Sequence, residues 1–82
     1  MGVTAIIPAY NEAKTVGKVV DVLKQVVSIT EIIVVDDGSE DATAATARRH
    51  GAKVIKLGIN SGKGAAMTAG ARQAQEEILL FL

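Results

Sequence analysis

A chain of 82 residues with nine basic and nine acidic side chains is at most one small domain, and it carries no long-range field that would draw it to nucleic acid or to an anionic membrane surface. It has no cysteine, which excludes disulfides, thiolate metal sites and a cysteine nucleophile. Hydrophobic residues make up 49% of the chain and aromatics only 2%, so the interior must be built from Val, Ile, Leu and Ala, the usual material of an α/β layer.

Residues 3–8 form a short apolar run closed by the only proline, and this predicts a first strand. Val16, Val19, Val20, Leu23, Val26 and Val27 recur at helical spacing. They predict an amphipathic helix that begins near Glu12, with Asn11 able to cap it. Residues 31–36 read as a second strand, and the continuous run Ile32-Ile33-Val34-Val35 is what a strand covered on both faces requires. Ser39 is placed as the N-cap of an Ala/Thr-rich helix that Gly51 ends. Residues 52–57 predict a third strand, 58–62 a loop, 63–77 a helix rich in small residues, and 78–82 a fourth strand. The order β-α-β-α-β-α-β with short connections predicts right-handed crossovers and a parallel sheet with helices on both faces. The fold class is therefore α/β, a Rossmann-like three-layer α/β/α arrangement. No apolar run approaches the roughly 20 residues of a membrane span, and no signal peptide is visible. The expected location is the cytoplasm, or the cytoplasmic face of a membrane in a longer protein.

In such sheets ligands collect at the carboxyl ends of the strands, and three groups of residues fall there. In Pro8-Ala9-Tyr10-Asn11-Glu12 the proline fixes the exit from the strand, and Tyr10 offers a flat face suited to a planar base. A purely structural turn, with Glu12 at the positive end of the helix dipole, also accounts for these residues. Asp36 and Asp37 are adjacent carboxylates that repel each other unless a cation, a donor or water meets them. As pure acceptors they suit a ring N–H, a ribose hydroxyl or a divalent ion; as a turn they need no ligand at all. Asn60-Ser61-Gly62-Lys63-Gly64-Ala65-Ala66 combines glycines that allow close backbone approach with a lysine at a helix start, which favours an anion. A P-loop is excluded by the spacing and by Gly64 where a magnesium-binding hydroxyl would stand. The dinucleotide glycine fingerprint is absent after the first strand. Arg48, Arg49 and His50 close the second helix, where positive charge suits the dipole.

Taken together, Ile6-Ile7-Pro8-Ala9-Tyr10-Asn11-Glu12, then Ile33-Val34-Val35-Asp36-Asp37-Gly38-Ser39 with Asp41, then Asn60-Ser61-Gly62-Lys63-Gly64-Ala65-Ala66 resemble the N-terminal part of a family 2 glycosyltransferase of GT-A fold. Within that family the chain is similar to enzymes of the dolichol-phosphate-mannose-synthase type. The resemblance implies that this part holds a nucleotide-diphospho-sugar, of UDP, GDP or dTDP type, for transfer to an acceptor, with a polyprenyl phosphate as one candidate. It places Pro8 and Tyr10 around base and ribose with Glu12 beside them. It makes Asp37 the acceptor for the base N–H, Asp36 a boundary of the pocket or a ribose contact, and Lys63 a basic residue near base and diphosphate.

The same resemblance implies Mg²⁺ or Mn²⁺ in the full-length enzyme, held by an aspartate-rich motif that would follow the fourth strand. The chain ends at Leu82 before that motif. Residues 1–82 are thus expected to be a partial, truncated domain with neither metal ligands nor a catalytic residue of its own. Alone it is expected to be inactive and to bind nucleotide weakly. A non-catalytic nucleotide-binding or partner-dependent α/β module is the alternative reading. A receiver-like domain lacks its third acid at Lys56-Leu57, and a nucleotidyltransferase lacks the glycine-rich loop after the first strand.

Overall fold

The computed structural model describes residues 2–58, 61–76 and 78–81. The elements are β1 (Val3–Ala9), α1 (Val16–Lys24), β2 (Ile29–Asp36), α2 (Thr43–Arg49), β3 (Lys53–Lys56), α3 (Lys63–Gln73) and β4 (Ile78–Phe81). They alternate as predicted. Every strand pair is parallel, and the sheet order is β3-β2-β1-β4. The chain winds from β1 outward to β3, and α3 then carries it back to the far side of β1. The direction of winding reverses between β1 and β4, which is where an open α/β sheet leaves a crevice at its carboxyl edge.

Alternation along the strands sorts the core into two layers. Ile7, Ala9, Ile32 and Val34 pack with Val16 and Val20 of α1 and Ala47 of α2. Ile6, Ile33 and Val35 pack instead with Ala66 of α3. The central strands are therefore apolar on both faces, as the unbroken Ile/Val run required. Small residues let α3 lie close to the sheet: a Cβ added at Gly70 would stand 2.4 Å from Cγ2 of Ile6.

Several boundaries differ from expectation, for physical reasons. The first helix begins at Val16 rather than near Glu12, because residues 13–15 form a lead-in turn in which the Glu12 carbonyl accepts the amides of Thr15 and Val16. It ends at Lys24. Val26 and Val27 continue its spacing but lie beyond it, 42% and 95% exposed. Asn11 does not cap α1; it has φ +51° and bonds to the loop after β2. Ser39 is not the N-cap of α2, which starts at Thr43; its hydroxyl accepts the Asn11 amide at 2.7 Å. β1 runs on through Pro8 to Ala9, β2 starts at Ile29, β3 spans only Lys53–Lys56, and α3 stops at Gln73. The placements foreseen for Asn60, Glu77 and Leu82 lie outside the described residues.

At the amino end of β2, Glu31 is 7% exposed and gathers three donors. They are the Thr4 hydroxyl at 2.6 Å, the Lys53 ammonium at 2.6 Å and the Gln75 amide at 2.8 Å. This cluster fastens the segment after α3 to the bottom of the sheet.

Candidate functional site

At the carboxyl edge of the sheet lies a cleft of about 330 Å³ lined by Pro8, Ala9, Tyr10, Glu12, Asp37, Gly62, Lys63 and Ala66. Five of the six residues singled out in the sequence meet there: Pro8, Tyr10, Glu12, Asp37 and Lys63. They come from three places in the chain. The end of β1 and the loop after it supply Pro8, Tyr10 and Glu12, the residue just after β2 is Asp37, and the first turn of α3 supplies Lys63.

Pro8 pairs with Val35 of β2 in register. The neighbouring Ala9 carbonyl accepts the Asp37 amide, so it faces β2. Pro8 therefore turns its donorless nitrogen toward the β4 side, where the β1–β4 pairs described end at Ile6 and Phe81. Tyr10 is 41% exposed, with its ring available to the cleft. The Glu12 carboxylate folds back to accept the Tyr10 amide at 3.3 Å.

The two aspartates divide. Successive residues of an extended chain face opposite ways, and Asp36 is 1% exposed and does not line the cleft. Its Oδ1 accepts the Ser39 amide at 3.0 Å, which tightens the turn through Gly38. Gly38 takes φ +85° there, a backbone shape that glycine adopts without strain. Asp37 faces the cleft and is 5% exposed. Its two oxygens accept the amides of Ser61 at 2.7 Å and Gly62 at 2.8 Å. A carboxylate has about four lone-pair directions, and among the described residues these two amides occupy two of them. Gly62 at φ +91° turns the chain into α3, and Lys63 follows as the first helical residue.

The loop after β2 also braces the loop after β1. Three consecutive amides donate across to it: Asn11 to Ser39 Oγ at 2.7 Å, Glu12 to Thr43 Oγ1 at 2.8 Å and Ala13 to Asp41 Oδ2 at 3.2 Å. The Glu40 amide returns a bond to Asn11 Oδ1 at 2.9 Å. Asp41 Oδ1 takes the Thr43 amide at 3.0 Å and the Thr43 hydroxyl. The hydroxyl bond from Thr43, with the amides of Ala13 and Thr43, holds the Asp41 carboxyl below its ordinary value. Sequence reasoning gave Thr43 no role and named Asp41 only as part of a motif; the alternation Ser39, Asp41, Thr43 was the available signal. Gly62 and Ala66 complete the lining.

Among the described residues no three His, Asp or Glu side chains gather where they could hold a metal ion. Nor is any helix there long and apolar enough to cross a membrane.

The model of glycosyl transferase family 2 matches residues 4–82. The chain belongs to that family. Among its relatives, 4,4'-diaponeurosporenoate glycosyltransferase of Staphylococcus haemolyticus is 38% identical over 98% of this chain and 23% of its own length. Dolichyl-phosphate beta-glucosyltransferase of Drosophila melanogaster is 38% identical over 95% of the chain and 29% of its own length. Glucosyl-3-phosphoglycerate synthase from Mycobacterium tuberculosis, solved with Mn²⁺, UDP and glucosyl-3-phosphoglycerate, superposes with a TM-score of 0.87. It is 29% identical, and the match covers 99% of this chain and 32% of that one. Mannosyl-3-phosphoglycerate synthase from Rubrobacter xylanophilus gives a TM-score of 0.84 at 33% identity, covering 96% of this chain and 29% of that one. The family 2 chain therefore spans about a quarter to a third of these relatives, and its fold matches that of GT-A glycosyltransferases over the shared segment. Divalent metal is used in the family: the mycobacterial synthase has been crystallised with UDP and either Mn²⁺ or Mg²⁺.

Proposed function

We propose that this cleft binds the nucleoside diphosphate of an activated sugar, and that residues 1–82 form the donor-binding part of a glycosyltransferase. The observation that carries the reading is the convergence of three separate sequence motifs on one cleft at the switch point of the sheet. The ring of Tyr10 stacks on the base beside Pro8, while Asp37 accepts a base N–H through an oxygen lone pair not used by the α3 loop. Lys63 and the amides opening α3 face the diphosphate, where positive charge and the helix N-terminus both favour an anion. Asp36 acts beneath the surface by shaping the turn rather than by touching ribose. In this arrangement the chain's own residues bind and orient the donor.

The relatives support assigning the shared segment to the donor. Their names specify unlike acceptors, including diaponeurosporenoate, dolichyl phosphate and 3-phosphoglycerate, yet each aligns with most of this chain. All of these are transferases or synthases, which argues against the non-catalytic alternative. UDP is the favoured nucleotide because the mycobacterial neighbour holds it; a polyprenyl-phosphate acceptor is supported by the dolichyl-phosphate relative alone. Calorimetric titration with UDP, GDP, dTDP and uridine tests the reading. UDP is expected to bind more tightly than uridine and to lose affinity in Tyr10→Ala; no affinity for any of the four would overturn it.

A further inference from the structure

We infer that Asp41 and Thr43 are positioning residues, which hold the loop after β1 in the shape that presents Tyr10 and Glu12 to the nucleotide. The inference rests on the donor-binding reading above and extends it to residues that do not line the cleft.

Residues 11–13 precede α1, so their amides have no partner within that helix. All three instead donate to side chains of one short segment, Ser39 to Thr43. Thr43 is completely buried and is the first residue of α2. It is therefore fixed by the helix behind it. Its hydroxyl accepts from Glu12 and donates to Asp41, and the same carboxylate takes the amides of Thr43 and Ala13. A single acid thus ties the start of α2 to the turn that leads into α1. Asn11 holds a left-handed φ of +51°, a shape that persists in a non-glycine residue when its surroundings over-determine it. Its own amide and side chain both bond to the segment after β2. On either side of Asn11 stand the two cleft residues, Tyr10 and Glu12.

Removing the Thr43 hydroxyl frees the Glu12 amide and one of the contacts that orient Asp41. The loop then spends less time in the competent shape, and apparent affinity falls by that fraction. The test compares wild type, Thr43→Val, Thr43→Ser, Asp41→Asn and Glu31→Gln by amide hydrogen exchange and by titration with UDP. In Thr43→Val and Asp41→Asn, exchange is expected to accelerate at residues 11–13 while β1 and β2 stay protected, with UDP affinity lower by about tenfold. Thr43→Ser restores both. Glu31→Gln, at the opposite end of the sheet, lowers stability without moving UDP affinity.

Unchanged exchange at residues 11–13 overturns the inference. So does a loosened loop with wild-type affinity. If Thr43→Val does not fold, Asp41→Asn decides, because Asp41 is exposed. Failure of the wild-type chain to bind UDP, GDP or dTDP overturns the donor reading instead, and the exchange data then judge the positioning role separately.

Discussion

The carboxylate of Asp37 accepts the amide of Gly62 at 2.8 Å, so an acid just after one strand fixes the residue that opens a helix twenty-five positions later in the chain. The second oxygen does the same for Ser61. The residue expected to read a base is thus already part of the wall that holds Lys63 in place.

Asp37→Ala therefore removes two acceptors at once. It should cost about 1 kcal/mol per hydrogen bond lost, since Ser61 and Gly62 are exposed and water can take up the freed amides, and it should lower UDP affinity by more than Tyr10→Ala does. Asp37→Asn keeps one oxygen but points an amide group at a donor, so it should resemble alanine in affinity. Calorimetry beside urea denaturation separates the two effects. Asp37→Asn binding UDP as wild type does would contradict the double role.

Lys63 should act on the phosphates and not on the base. In Lys63→Met the affinity for UDP should fall and its salt dependence should weaken, while uridine binds as before. A parallel loss for uridine would show that the lysine contacts the nucleoside.

Glu31 gives a pH dependence with a definite sign. Burial alone would raise its carboxyl, but the Gln75 amide, the Lys53 ammonium and the Thr4 hydroxyl together hold it below its ordinary value of 4.5. The folded value is depressed, so its stabilising contribution is complete above about pH 4.5 and is lost as pH falls through the lower folded value. Urea midpoints measured downward from pH 5 should drop in wild type and change less in Glu31→Gln. That variant should be less stable at neutral pH by about 1–3 kcal/mol, because only one of its two terminal atoms can accept where both carboxylate oxygens accept in wild type.

Gly70→Ala should overpack the interface between α3 and β1, since its methyl would meet Ile6 Cγ2 at 2.4 Å. A loss of about 1–3 kcal/mol follows from such crowding. In combination with Ile6→Ala the two costs should sum to less than their separate values, because the cavity left by one receives the other. Strict additivity in thermal denaturation would show that the helix shifts instead.

Much of this was legible in the residues themselves. The Ile/Val run of β2 told that both faces would be covered, and the punctuation by Pro8, Gly51 and Gly62 located the turns within a few positions. Five cleft residues could be named because strand ends in this topology converge. The acidic pair could not be read as a pair, because adjacent residues of an extended chain part to opposite sides, and only the sheet shows that Asp36 turns away from the cleft. Ser39 and Asn11 carry capping chemistry, but their partners lie 28 residues apart in sequence. Local propensity assigned each to its nearest helix, whereas the fold turns Ser39 Oγ to the Asn11 amide and Asn11 Oδ1 to the Glu40 amide. Val26 and Val27 extended the helical spacing past Lys24 for a similar reason: periodicity records residue type and not whether a surface waits opposite.

One strand holds α3 at both ends. Asp37 grips the residues that open it, and Glu31 grips Gln75 just after it. Between those acids lie about 20 Å of extended chain, against about 17 Å of helix in the eleven residues of α3. The strand works as a calliper, and the crossing helix is cut to its gap. An insertion or deletion within α3 must therefore release one jaw: it either frees the loop that carries Lys63 or displaces the entry into β4, so the length of this helix is as constrained as the identity of any residue in the cleft.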